Sequence, residues 1–342
     1  MPFKSSLARS AGKLFGVFRE RDLSLRGYNQ STRIPPPPSF TATGGTKSTP
    51  GNGYTYHVFT SPTIAPAPHT FEVTTGGSDI NLLVVAGGGG GGGKYGGSAG
   101  GGGGGAGVVH DRLLPNFAVG TYPITVGCGG LGNTYPATGP GDPGGDTVWN
   151  SPGTGTPALT AAGGGAGGGG PHIYHNGLPG GSGGGNAYSD PTGNTRSTGS
   201  GDTYPGSGPT ISPANGWGSD GGIASPHTNR KAGGGGGAGA QGEDGPAGIV
   251  VDGGVGIEIS WVLPTHGDTK FFGGGGGSGY YTGGPPVDGG TGGNGGGGNG
   301  GASPTAAADG MASTGGGAGG MEAGGFTQYR GGSGVIIIRY AE

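Results

Sequence analysis

The sequence predicts a mainly β protein: a small β-sandwich with packed polyglycine-II-type helices, preceded by a short N-terminal amphipathic helix. Three observations predict it. Of 342 residues, 100 are glycine and 28 proline, gathered in runs. Between the runs lie short apolar segments that alternate with period two or are apolar throughout. The first 33 residues differ in both charge and periodicity from all that follows.

Several classes fall away on composition. Leu, Ile, Val and Phe number 51, too few for the core of an ordinary two-domain enzyme of this length. The charged fraction is 10% and the formal net charge -3, so self-repulsion does not hold the chain open. No apolar run approaches the roughly 20 residues of a membrane span, the longest being Ile336–Ile338 with its flanks. Glycine is clustered and not placed at every third position throughout, which excludes collagen. Cys128, the one cysteine, cannot form an intramolecular disulfide and reads as a small apolar filler between glycines.

Residues 1–33 carry seven Lys/Arg against two Asp/Glu, while the remaining residues carry nine against seventeen. Leu7, Ala11, Leu14, Phe15 and Phe18 fall on one helical face, with Ser5 or Ser6 as cap. Asp22–Arg26 alternates like a short strand, placing Leu23 and Leu25 on one side. So short a helix needs a partner for its apolar face. Its own domain, a larger assembly and a membrane surface are the three options; docking through Phe3, Leu7, Ala11, Leu14, Phe15, Phe18, Leu23 and Leu25 is the expectation. No secretory signal is read at this end, which points to synthesis in a cytoplasm. The domains expected are 1–34 for docking, 35–53 as a Pro/Gly-rich spacer and 54–342 as the glycine-rich β body. In the spacer, Pro35–Pro38 spans about 12 Å of polyproline II, and residues 44–53 read as polar turn.

In the body, strands are predicted over Tyr54–Thr60, His69–Thr74, Asp79–Ala86, Ala106–Leu113, Thr121–Val126, Thr147–Trp149, Gly248–Asp252, Gly256–Leu263 and Gly334–Tyr340. Asp79–Ala86 is apolar throughout, as a strand covered on both faces would be. Gly334–Tyr340 is expected to return and pair with the earliest strands. Glycine runs at 87–93, 101–105, 163–170, 233–237, 273–277, 292–301 and 315–320 join these segments. A lone run would read as linker. Many runs of similar length, fused directly to strands, predict ordering through main-chain hydrogen bonds, since no side chains can offset the entropy lost. Extended tracts with three residues per turn could pack on every side. Alanines within runs, Ala166 and Ala318, then mark a side facing outward or toward a gap.

Phe71–Val73 and Val84–Gly89, then Gly105–Val109, Tyr122–Gly127 and Gly332–Tyr340, in this order, resemble the glycine-rich domain of bacteriophage virion proteins over roughly residues 54–342. Met1–Ser10 with Asp22–Gly27 resembles the short N-terminal tag of structural proteins from marine phages such as cyanophages. The resemblance implies a non-enzymatic virion component, made in the host cytoplasm. It would be displayed as fibre, appendage or adhesin, and attached through residues 1–33 to tail, collar or capsid proteins. The likeness to adhesin tips of T-even-like long tail fibres is architectural, because those lack such a basic N-terminal segment. Fibres are usually symmetric, so a homotrimer is one expected assembly, although no pattern in the residues specifies it.

Aromatic residues in loops beside the runs, Tyr95, Tyr174, Tyr188, Tyr204, Trp217, Tyr280 and Tyr281, are the candidate contacts for a host receptor or glycan. Capping of the tract ends is their alternative role. No cofactor or metal is expected: His172 and His175 lie in a loop without a third ligand, and Asp142 with Asp146 forms only one imperfect copy of a calcium repeat. Glycine-motif nucleotide sites lack a following helix. The acidic body argues against nucleic acid as a partner. Rival readings are a capsid decoration protein, a disordered glycine-rich matrix protein and a polysaccharide hydrolase.

Overall fold

The computed structural model describes residues 39–62, 64–93, 101–133, 139–150, 158–170, 176–187, 195–202, 214–225, 232–245, 251–280, 288–302, 305–321 and 327–342. The chain divides into two units, Met1–Ser39 and Phe40–Glu342. The expected helix, strand and Pro35–Pro38 spacer of the first lie outside the described residues. Among those residues there is no α-helix, and no helix is long and apolar enough to cross a membrane.

Two five-stranded antiparallel sheets and one hairpin make up the β structure. The first sheet runs β1 (Thr41–Thr43), β4 (Ala67–Thr75), β7 (Gly120–Val126), β8 (Thr147–Trp149) and β9 (Leu159–Ala161). The second runs β2 (Thr46–Ser48), β3 (Tyr54–Thr60), β12 (Val335–Ala341), β5 (Ile80–Val85) and β6 (Val109–Leu114). The hairpin pairs β10 (Ile257–Glu258) with β11 (Phe271–Phe272). As expected, the Gly334–Tyr340 segment returns: β12 lies between β3 and β5, with Ile337 opposite Val58 on one side and Leu83 on the other.

The continuous apolar run of β5 follows from its surroundings. Leu82 and Val84 join Ile336 and Ile338 in a core shared with Phe71, Val73 and Trp149 of the first sheet. The alternate residues Leu83 and Val85, with Val335 and Ile337, face a second core containing Ile257, Ile259, Phe272 and Trp217. Both faces of this antiparallel sheet are therefore covered, one by the partner sheet and one by the 257–272 segment. Aromatic rings dominate the first core, where Tyr122 stacks on Trp149 at 5.3 Å and Phe71 lies 6.2 Å from Trp149.

Several boundaries differ from the sequence reading. The stretch read as spacer and turn carries β1 and β2, one at the edge of each sheet; Gly44 and Gly45, at φ 113° and 59°, turn the chain from one layer to the other. Ala106–Val108 ends a glycine tract, and its strand starts at Val109. Val251 and Asp252 belong to a tract and not to a strand: their carbonyls accept from the Ser278 and Glu243 amides, and the Asp252 amide donates to the Glu243 carboxylate. Gly256–Leu263 contributes only Ile257–Glu258 to a sheet.

The glycine tracts belong to no sheet, yet they are buried and bonded. In 87–92, the amides of Gly87 and Gly90 donate to Gly145 and Asp142, those of Gly88 and Gly91 to Gly332 and Tyr329, and those of Gly89 and Gly92 to Gly105 and Gly102. The carbonyls accept with the same period of three: Gly87 and Gly90 from Gly164 and Gly167, Gly88 and Gly91 from Gly130 and Asn133, Gly89 and Gly92 from Ala318 and Met321. One tract thus donates to three antiparallel neighbours and accepts from three parallel ones. A Cβ on Gly89 would lie 2.1 Å from the Gly165 carbonyl oxygen, and one on Gly104 2.2 Å from that of Gly89. Only a residue without a side chain fits. Ala166 and Ala318 do not face outward; both are fully buried, and Ala318 joins Ala307, Met321 and Tyr329 in a small apolar cluster that fills a gap.

Candidate functional site

Six tracts are covalent continuations of sheet strands: 87–93 leaves β5, 127–133 leaves β7, 162–170 leaves β9, while 101–108, 139–146 and 327–334 lead into β6, β8 and β12. Their strand-side ends are bonded together, with Ala86 donating to Val108, Gly87 to Gly145 and Gly334 to Gly127. Their other ends form a second level. There Gly92 donates to Gly102, Gly102 to Gly168 and Gly168 to Gly185, while Gly101 donates to Met321 and Gly279 to Gly101. The level continues through Asn186 to Gly222, Gly222 to Gly234, Gly234 to Glu243 and Glu243 to Asp252. This end, remote from the strands, is the first candidate site.

Its described rim is polar. Arg196 bonds Asp244 at 2.8 Å and the Gly221 carbonyl at 2.9 Å. Burial tends to raise the Asp244 carboxyl, but the Arg196 hydrogen bond, the Ile223 amide and the Arg196 charge outweigh it and hold the group below the usual carboxylate range. Tyr280 is half-buried here, its amide bonded to the Gly301 carbonyl.

The predicted contact residues distribute unevenly. Tyr95, Tyr174, Tyr188, Tyr204 and Tyr281 lie outside the described residues, as do His172 and His175. The segments holding Tyr95, Tyr174, Tyr188 and Tyr281 are flanked by residues of the remote level or its rim: Gly93 and Gly101, Gly170 and Asn176, Ala187 and Thr195, Tyr280 and Asp288. The segment holding Tyr204 is flanked at the strand side, where Asp202 bridges Trp217 and Trp217 bridges Val109. Trp217 itself is corrected: it is 3% exposed and packs in the second core, so its ring is part of the fold and not of a contact surface. Sequence alone could not separate it from the tyrosines, because its flanks are equally rich in glycine.

A second cluster, absent from the sequence reading, sits on the outer face of the second sheet. The Trp261 indole N–H donates to Asp111 at 3.0 Å. Arg339 donates to Asn81 at 2.8 and 3.2 Å and to the Trp261 carbonyl at 3.1 Å. Its guanidinium lies 4.2 Å from the Tyr54 ring centre and 5.1 Å from that of Trp261. Burial pushes the Asp111 carboxyl up to about 6, against the opposing Trp261 hydrogen bond and the Arg339 and Arg112 charges. The polar groups of this cluster are turned to one another, and they clamp the 257–272 segment onto the sheet.

Two histidines, His57 and His110, are also buried among the described residues. In His57, Nδ1–H donates to the Gly44 carbonyl at 2.6 Å, leaving Nε2 to accept from the Tyr340 hydroxyl at 3.1 Å. Burial lowers its pKa; the Gly44 bond opposes and Lys47 adds to the lowering. His110 is 1% exposed with neither ring nitrogen in hydrogen-bond geometry. Burial lowers its pKa to about 4, Arg112 contributes, and the nearby Thr160 carbonyl opposes in part. Among the described residues, no three His, Cys, Asp or Glu side chains are grouped to hold a metal. Cys128 is a half-buried free thiol.

A family model described as a glycine-rich domain matches residues 63–341. Comparison with curated proteins finds no match.

Proposed function

The chain belongs to the glycine-rich domain family, over residues 63–341, and from that premise we propose that it is a non-enzymatic structural protein of a bacteriophage virion. Residues 1–33 attach it to other virion proteins, and the body is displayed outward as a fibre, appendage or adhesin. The observation that carries this reading is the amide lattice: glycine-rich tracts, fused to sheet strands, are bonded to one another at their strand-side ends and again at a level remote from the strands. Such a body is built to present a surface at a distance, and its rigidity comes from main-chain bonds on every side of each tract.

The tracts are proposed to be polyglycine-II-type helices. The period of three in both donors and acceptors supports that conformation, in which six residues extend about 19 Å. A host receptor or surface glycan would be met at the remote end, by Tyr95, Tyr174, Tyr188, Tyr280 and Tyr281.

Three measurements test the proposal. Deleting residues 1–33 is expected to leave a folded body that no longer enters particles; incorporation of the truncated chain would refute the docking role. Labelling the chain on intact particles then reads its position, and a uniform distribution over the head would replace the displayed fibre with capsid decoration. Tyr280→Ala with Tyr281→Ala is expected to lower adsorption to host cells about tenfold, the effect of losing roughly 1.4 kcal/mol of contact; unchanged adsorption would remove these two from the contact set.

A further inference from the structure

The amides of interior tracts bond mainly to other tracts, whereas outward amides of perimeter tracts bond to side chains. The 288–294 tract, Asp-Gly-Gly-Thr-Gly-Gly-Asn, is buried at Gly290 and Gly293 and exposed at Asp288, Thr291 and Asn294. Its inward amides, Gly290 and Gly293, donate to the Ser278 and Gly275 carbonyls at 2.9 and 2.8 Å. The next two amides after Gly290 donate instead to side chains: Thr291 to Asp252 Oδ1 at 2.6 Å, and Gly292 to Asn299 Oδ1 at 2.8 Å. The same substitution recurs around the lattice. Gly199 donates to Asp220 at 2.9 Å and Arg330 to Asp309 at 2.7 Å.

In each case a side-chain oxygen takes the place that a neighbouring tract's carbonyl takes in the interior. An amide left open at that position would match the carbonyl row of any other tract with the same period, and a second copy of this chain supplies such rows. We propose that Asp220, Asp252, Asn299 and Asp309 are terminators of the lattice: they occupy perimeter amides that would otherwise bond a tract of a second copy, and so keep the lattice within one molecule. The logic is that of edge strands in sheets, where exposed main-chain donors invite pairing unless they are blocked. This inference rests on the perimeter hydrogen bonds and is independent of the virion reading.

The test is the mass in solution of the full chain carrying Asp252→Ala and Asn299→Ala, which together uncap Thr291 and Gly292. Sedimentation over a range of concentrations is expected to give at least twice the parent's mass, rising with concentration. A mass equal to the parent's, with the cooperative melt retained, would overturn the proposal. Asp252→Asn keeps the acceptor oxygen and removes the charge, so it is expected to sediment as the parent does. Association of that variant would assign the effect to charge repulsion and overturn capping. Should the double variant lose its cooperative melt, Asp220→Ala and Asp309→Ala decide on separate tracts by the same criterion. Loss of folding in all three would also overturn the proposal, because the side chains would then be holding tracts in place and not ending the lattice.

Discussion

The β layers and the glycine tracts reach dense burial by opposite means. Between the sheets, Trp149, Phe71 and Ile336 exclude water with side-chain volume. In the tracts, the buried material is the main chain itself, and its stability lies in amide pairs. The two regions should therefore fail in opposite ways: the layers when atoms are removed, the tracts when atoms are added.

The largest effect is expected from Gly89→Ala combined with Gly104→Ala. Both new methyl groups would meet carbonyl oxygens of neighbouring tracts, which have no rotamer by which to give way. A loss above about 4 kcal/mol, or of cooperative melting altogether, is expected in chemical denaturation. A mild effect would mean that the tracts are looser than their bonding suggests, and the contrast between the regions would break there. Next, Phe71→Ala should cost about 3–5 kcal/mol by opening a cavity between Phe117, Tyr122 and Trp149. A glycine substituted by alanine is ruinous in one region, and a phenylalanine by alanine in the other.

Titration sharpens the comparison, because the buried ionisable groups cluster on the β side. His110 has a folded pKa near 4, below its unfolded value, so its contribution is present above 6.5 and lost as pH falls toward 4. The size of that loss is roughly 3 kcal/mol. His57 and His266, also lowered by burial, act in the same direction. Asp111 opposes them. Its folded pKa near 6 lies above the ordinary carboxyl value of 3.8, so its contribution is present below 3.8 and lost as pH rises through 6. Asp111→Asn should accordingly stabilise the chain by roughly 3 kcal/mol at pH 7, leave it unchanged near pH 3, and steepen the acid loss between these limits. Melting temperature against pH reads all three, and a flat profile in the Asp111→Asn variant, where nothing offsets the histidines, would contradict their burial. The smallest effect is expected at Gly51. Its φ of 81° disfavours alanine, but nothing lies within 4 Å of the added carbon, so Gly51→Ala should cost about 1–2 kcal/mol of local strain.

How much of this was readable beforehand depends on what decides each element. β3, β5 and β12 were legible because apolar continuity and alternation survive any tertiary context. β1, β2 and β9 were not: Thr-Ala-Thr, Thr-Lys-Ser and Leu-Thr-Ala are too short to show a period, and only the neighbouring sheet edge makes strands of them. Packing of the glycine runs followed from the number of unpaired amides, whereas which run meets which is a matter of topology. The signal that was overlooked is the spacing of non-glycine residues. Asp288, Thr291 and Asn294 stand three apart and mark an exposed tract face, as their exposure bears out. Trp261, Asp111 and Arg339 meet across most of the chain's length, and no local pattern announces such a cluster.

The threefold repeat of the hydrogen bonds has a consequence for how such a chain can vary. Lengthening a tract by three residues returns every amide to the same neighbour one step further along, while adding one or two turns each donor toward the wrong tract. Homologous chains should thus differ in tract length by triplets, and the reading frame of this architecture, written in residues as a gene's is in bases, is three.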